Sequence, residues 1–182
     1  MRVVAGLYRG RILKSPADGK TRPTSDRLRE TLFNILAPRI SDSTRCLDLC
    51  AGTGAIGIEA LSRGAAFTTF VDKSRKACAV IEQNLDMLQV PETRTEVLCL
   101  SAENFTGRKH DVGWDIAFFD PPYAGDYSNV LFDFGTNSLL NDGGLLIAEH
   151  HSKTELPDAI GHLRRWRLLK QGQTFLSFYE AN

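Results

Sequence analysis

Nowhere in its 182 residues does the chain hold the run of about 18 apolar residues that a membrane-spanning helix needs. Its opening, Met1-Arg2-Val3-Val4-Ala5-Gly6, has no signal-peptide pattern, so a cytoplasmic protein without membrane contact is expected. Cys46, Cys50, Cys78 and Cys99 form no Cys-x-x-Cys pair, and no His stands at metal-ligand spacing from them. The four thiols therefore read as small apolar side chains, and no metal is expected. Internal repeats and low-complexity segments are absent as well. Net charge is zero, from 22 Lys+Arg against 22 Asp+Glu. What remains is an ordinary globular composition, 42% hydrophobic and 24% charged, in a length that suits one domain. A core of that size needs neither disulfide nor metal to stand.

The zero net charge hides an asymmetry. Residues 1–45 hold ten Lys/Arg and four Asp/Glu, a balance of +6, and the rest holds twelve and eighteen, a balance of −6. A basic N-terminal segment on an acidic body points to a localised polyanion contact, with a solvated edge as the plainer alternative. Residues 8–13 are short and β-leaning. After Pro23, the caps Thr24, Ser25 and Asp26 precede a helix with Leu28, Leu32, Ile35 and Leu36 on one face, stopped by Pro38.

From Thr44 strands and helices alternate. Strands are expected at 45–49, 67–71, 95–100, 116–119 and 145–149. Helices are expected at 55–63, from the cap Ser74 to Leu88, at 128–140 and near 156–163. Asn141-Asp142-Gly143-Gly144 reads as a turn, and two closing strands at 165–169 and 174–179 flank Gly172. This alternation predicts a doubly wound α/β fold, a mostly parallel sheet whose closing strands are linked too tightly for both to be parallel.

The first strand runs into Asp48-Leu49-Cys50-Ala51-Gly52-Thr53-Gly54. Glycines there let backbone approach a ligand, and the next helix aims its N-terminus at it. Asp72, twenty residues beyond Gly52, ends the second strand and is placed to take both hydroxyls of a ribose. Gly52-Thr53-Gly54-Ala55-Ile56-Gly57 is also a literal dinucleotide fingerprint, so a nicotinamide-dependent dehydrogenase competes. Asp48 would repel a pyrophosphate but suits the ammonium of a methionine moiety, and helix–sheet packing alone would explain Gly57. The loop thus leans towards S-adenosylmethionine and leaves the dinucleotide open.

Asp120-Pro121-Pro122-Tyr123 follows the fourth strand, at the edge where such sheets bind ligands. Consecutive prolines often merely end a strand. That reading leaves unexplained why an apolar strand delivers a carboxylate and an aromatic together. An amino-methylating site accounts for all four residues. The lone pair of an exocyclic amine is conjugated into its ring. Hydrogen bonds from the amino hydrogens to the Asp120 carboxylate and the Pro121 carbonyl return density to nitrogen. Tyr123 offers a stacking face worth about 1–3 kcal/mol. A cytosine-C5 mechanism would need a nucleophilic Cys, and none lies near Asp120 in sequence.

Together the loop, Asp72 and Asp120–Tyr123 resemble a class I S-adenosylmethionine-dependent methyltransferase. Arg9-Gly10-Arg11, the run from Arg22 to Asn34 and the stretch from Leu47 to Gly64 narrow the resemblance to the RsmD family, over nearly the whole chain through Ser177-Phe178-Tyr179. The resemblance implies a Rossmann-like class I methyltransferase fold, with a seven-stranded, mostly parallel sheet, one strand antiparallel. Residues 1–40 would form a basic extension with a small β-hairpin and a helix, and residues 44–182 the catalytic core, in a single domain. It implies methylation of guanine N2 at position 966 of 16S ribosomal RNA, within an assembling 30S particle and without an obligate protein partner. Asp48, Ala51, Gly52, Gly54, Asp72, Lys73, Ser101 and Ala102 would hold S-adenosylmethionine. Asp120, Pro121, Pro122 and Tyr123 would hold the guanine amino group, and Arg9, Arg11, Arg22, Arg27 and Arg29 the RNA. One departure stands out: members usually carry Asp after the third strand for the adenine amino group, where this chain has Ser101-Ala102-Glu103. The alternatives are an adenine-N6 or other amino methyltransferase, the dehydrogenase, and an assembly factor that binds RNA without catalysis. Adjacent His150 and His151 point apart on extended chain and do not suit a shared metal. Trp114 and Trp166 read as packing residues.

Overall fold

The computed structural model describes residues 1–15, 25–122 and 127–181. Eight strands among them form one sheet: β1 (Arg45–Leu49), β2 (Phe67–Asp72), β3 (Thr95–Cys99), β4 (Trp114–Phe119), β5 (Leu140–His151), β6 (Ala159–Ile160), β7 (Leu163–Gln171) and β8 (Thr174–Ala181). Their spatial order is β3-β2-β1-β4-β5-β8-β7-β6. The first five are mutually parallel. β8 runs antiparallel to β5, β7 antiparallel to β8, and β6 antiparallel to β7. The expected seven strands are therefore eight, the addition being the two-residue β6. Of the long strands, only β8 opposes the parallel set.

The inner strands are apolar on both faces because helices cover both. Leu47, Leu49, Ala117, Phe119, Leu146 and Ala148 pack under α4 (Ala102–Thr106) and α5 (Ser128–Thr136). Cys46, Ile116, Phe118, Ile147 and Phe178 pack under the Leu28, Leu32, Phe33 and Leu36 stripe of α1 (Asp26–Leu36). Ser25 caps α1 by accepting from the Leu28 N–H at 3.2 Å. Further along that face lie α2 (Ala55–Ser62) and α3 (Arg75–Leu88), whose Ile58, Leu61, Ile81 and Leu85 form a third cluster with Val3 and Leu13. Residues 1–13 fold back on themselves around the antiparallel bridge Arg2↔Ile12 and lie against α2 and α3.

Three expected elements differ, the first being the helix expected over 128–140, which ends at Thr136 so that Leu140 already opens β5. Residues 156–163 form no helix. Gly161 takes the left-handed φ of +55°, and a Cβ there would stand 1.8 Å from the Gly135 carbonyl oxygen. The carbonyls that a helix would use internally are taken laterally, Leu156 by the Arg165 guanidinium and Pro157 by the Tyr179 hydroxyl. Residues 141–144 are not a turn between elements but an irregularity inside β5. Pairing with β4 jumps from Trp114↔Leu140 to Ile116↔Leu145, with Gly143 at φ +71°. No helix of the described residues is long and apolar enough to cross a membrane.

Candidate active site at the carboxyl edge of the sheet

Strand order reverses at β1, which pairs with β2 on one side and β4 on the other. Chain segments leaving β1 and β4 diverge there, opening the crevice in which open parallel sheets hold ligands. Register brings the candidate residues to it. Leu49 pairs with both Val71 and Phe119, and Phe119 with Ala148. The next residues along these strands are Cys50, Asp72, Asp120 and Glu149, so four segments distant in sequence end side by side. The Asp120 N–H donates to the Leu49 carbonyl at 3.3 Å, tying the Asp120-Pro121-Pro122 segment to the strand that enters the glycine loop.

The loop is tight. Cys50, Gly52 and Gly54 all have positive φ, at +61°, +57° and +74°. Ala51 N–H donates to the Val71 carbonyl, and Gly54 N–H to the Ala51 carbonyl. Among the described residues a Cβ on Gly52 would find only the Cys50 oxygen, at 4.0 Å, which leaves this face open for a ligand. On Gly57, however, a Cβ would stand 2.3 Å from Phe70 Cε1 and 2.7 Å from Thr68 Cγ2. The third glycine of the fingerprint is thus required by α2–β2 packing.

Carboxylates dominate the crevice. Asp72 accepts from the Gly52 N–H at 2.9 Å and the Ser74 N–H at 2.8 Å, so it shapes the loop. Asp48, 3% exposed, accepts from the Gly57 N–H at 2.9 Å in an apolar surround that includes Phe33, Leu36, Ile40 and Ile56. Burial pushes its carboxyl up to about 8, against the Gly57 bond and with help from Asp72. Asp120 is pushed well above the usual carboxylate range by burial first, then by the charges of Glu149 and Asp48. Cys50 sits among Asp72, Asp120, Glu103 and Asp48, and burial with these charges drives its thiol up to about 12. It is an inert thiol. Glu149, buried at the end of the fifth strand, is the site carboxylate that sequence reasoning missed. Only its pairing column, one strand over from Asp120, distinguishes it.

Pro121 is buried and Pro122 exposed, and Tyr123 lies outside the described residues. Lys73 is exposed beside Asp72. Ser101 caps α4 by accepting from the Asn104 N–H at 3.2 Å, and Ala102 is buried behind it. His150 is buried, its Nδ1 donating to the Thr154 carbonyl at 2.9 Å while Nε2 accepts from the Ser177 hydroxyl at 2.9 Å. Burial lowers its pKa, and this pattern holds a neutral imidazole. Trp114 is buried and donates to Thr69 Oγ1, whereas Trp166 rests on Phe178 with 46% of its surface exposed. Cys46 and Cys78 are buried, Cys50 is half-buried and Cys99 is exposed.

Arg9, Arg11 and Arg27 are exposed, and Arg22 lies outside the described residues. Arg29 corrects the sequence reading. It is 0% exposed, and its Nη2 donates to the Arg2 carbonyl at 2.6 Å and to Asp26 at 2.7 Å. A side chain enclosed in this way bolts α1 to the N-terminal segment and presents no surface to RNA.

A sheet that reverses at β1, with a glycine turn and an acid on adjacent strands and an antiparallel β8 beside β5, defines a class I methyltransferase fold. Residues 1–180 match the family model described as conserved hypothetical protein 95. The Bacillus subtilis (strain 168) protein YlbH is 37% identical, over 99% of this chain and 98% of its own length. Ribosomal RNA small subunit methyltransferase D of Escherichia coli (strain K12) is 36% identical, over 99% of this chain and 89% of its own. The solved Escherichia coli structure of yhhF superposes with a TM-score of 0.89 at 36% identity, covering 100% of this chain and 98% of that one. The chain belongs to this family, the RsmD family of ribosomal RNA methyltransferases.

Proposed function

We propose that the chain transfers a methyl group from S-adenosylmethionine to the exocyclic N2 of guanine 966 in 16S ribosomal RNA, in the cytoplasm, on an assembling 30S particle. The observation that carries the reading is the juxtaposition of the open glycine turn with Asp48, Asp72, Asp120 and Glu149. Acidic residues from four strands grouped at one crevice favour a cationic ligand, which would hold them ionised, and oppose a pyrophosphate. S-adenosylmethionine brings a sulfonium and an ammonium, and when bound it supplies the methyl group. The packed Gly57 suits either ligand, since close helix–strand packing is also the part a third glycine plays in a dinucleotide fold, so the choice rests on the carboxylates.

In this reading the backbone of Ala51, Gly52 and Gly54 lies along the cofactor, and Asp72 and Lys73 flank its ribose. Ser101 and Ala102 border the adenine, with Ser101 available only through what its capping role leaves free. Asp120 and the Pro121 carbonyl accept the two amino hydrogens of the guanine and so keep the nitrogen lone pair on the nitrogen. Tyr123 supplies the stacking face. Held in line with the donated methyl group, the amino nitrogen would gain the N–C bond as the C–S bond breaks and S-adenosylhomocysteine departs, and the proton then shed by nitrogen would pass to Asp120 or water. Most of the acceleration comes from holding the two reactants in this alignment.

The test uses labelled S-adenosylmethionine and small-subunit particles from a strain lacking the gene, with the methylated nucleoside identified by mass spectrometry. N2-methylguanosine is expected. Asp120→Ala is expected to lower the transfer rate by about 10²–10³-fold while cofactor affinity holds. N6-methyladenosine, or full activity in Asp120→Ala, would overturn the assignment.

A further inference from the structure

Asn84 stands on α3, remote in sequence from both the glycine turn and the N-terminal segment, and its side chain is 0% exposed. A buried primary amide is costly unless its donors and acceptor are used. Its Oδ1 accepts from the Lys14 N–H at 2.8 Å, and its Nδ2 donates to the Lys14 carbonyl at 3.2 Å. This two-way pairing replaces a neighbouring strand for the N-terminal segment. The same Nδ2 donates to the Thr53 carbonyl at 3.1 Å, in the middle of Gly52-Thr53-Gly54. Partner chemistry fixes the amide's orientation, because the Lys14 N–H needs an acceptor and both carbonyls need donors. A single planar group therefore joins the basic segment to the turn.

Packing runs along the same line. Thr53 Oγ1 contacts Met1 Sδ at 3.8 Å. Val3 and Leu13 of the segment share a cluster with Ala55 and Ile58 of α2, the helix that starts from the turn, and with Ile81 and Leu85 of α3. The segment also grips α2 directly, with Val4 and Ala5 N–H groups donating to the buried Glu59 carboxylate at 2.7 and 3.0 Å.

We infer that Asn84 is a positioning residue that couples the two ligands, so that RNA held along the N-terminal segment and cofactor held at the glycine turn each tighten the other. The inference rests on the reading of both ligands given above. Cofactor on the turn steadies the Thr53 carbonyl, the amide and hence Lys14. RNA on the segment acts through the same bonds in reverse, and linkage requires the two factors to be equal.

The unreactive S-adenosylhomocysteine is titrated calorimetrically with and without a saturating 16S ribosomal RNA transcript. RNA affinity is measured in turn with and without S-adenosylhomocysteine. The wild type is expected to show tightening of about fivefold or more in both directions. Asn84→Ala removes all three bonds. Lys14→Pro, at an exposed residue, removes both the N–H that donates to Asn84 and the ammonium that donates to Gln83, and Lys14→Ala keeps that N–H while removing the ammonium. Coupling is expected to fall below about twofold in Asn84→Ala and Lys14→Pro and to persist in Lys14→Ala. A merely structural role would weaken each ligand without altering the ratio. Unchanged coupling in Lys14→Pro overturns the inference even if Asn84→Ala does not fold, as does a wild type that binds both ligands independently. A wild type that binds neither this transcript nor the small-subunit particle would instead sink the proposed function and this inference with it.

Discussion

Asp120 and Glu149 come from adjacent parallel strands, and the charge of Glu149 makes Asp120 harder to ionise. Burial is the larger influence on Asp120, and the Glu149 charge is the next. If Asp120 accepts an amino hydrogen as the carboxylate, activity rises with pH as Asp120 ionises. Removing the neighbouring charge then eases ionisation. Glu149→Gln is therefore expected to move the acid limb of the kcat/KM profile to lower pH. A profile measured from pH 5 to 9 checks this, and a limb that stays in place or moves upward would separate the two carboxylates. Asp48 belongs to the same electrostatic group, but its bond to Gly57 ties it to α2. Its hydrogen bond shapes the fold while its charge acts on the site. The residue types at 48, 72 and 120 were legible from spacing alone. Glu149 was not, because nothing local to residues 145–151 records which strand lies next to β5.

At the scale of elements, close approach decides what each segment tolerates. α2 lies so near β2 that Gly57→Ala would push its Cβ into the Phe70 ring. A cost of about 1–3 kcal/mol is expected, read as a lower urea midpoint with an unchanged slope. The parallel strands and α1 to α3 were legible because hydrophobic period and caps are local signals. Ser25 and Ser74 cap their helices by accepting from Leu28 and Ala77, as their types suggest. Residues 156–163 misled because Leu156, Ile160 and Leu163 repeat at helical spacing. Their apolar groups instead fill the core under α5, and Gly161 closes against Gly135. Residues 141–144 have turn composition, yet β4 continues the ladder past them and the glycines are absorbed as a bulge.

At the scale of the molecule, the +6 balance of the first 45 residues is displayed unevenly. Arg9, Arg11 and Arg27 face outward, while Arg29 is enclosed. Single Arg→Ala changes at 9, 11 and 27 are expected to weaken RNA binding. Each should lower the slope of log affinity against log salt by about one. Arg29→Met should leave that slope alone and cost about 1–3 kcal/mol of stability, since it takes the donor from the Arg2 carbonyl while the half-exposed Asp26 keeps its bond to Arg2 Nε. Salt-dependent binding and denaturant titration of the same four variants separate the two roles. A reduced slope in Arg29→Met would return that residue to the RNA surface.

The sequence by itself determined the alternation of strands and helices, the glycine turn, the acids at 48 and 72, and the Asp-Pro-Pro-Tyr motif, because each is written in neighbouring residues. Tertiary structure alone decided that Glu149 stands beside Asp120, that Arg29 is a bolt within the fold, and that Asn84 joins Lys14 to Thr53. Those relations depend on sheet register and helix placement, which bring together residues dozens of positions apart, and no local pattern encodes them.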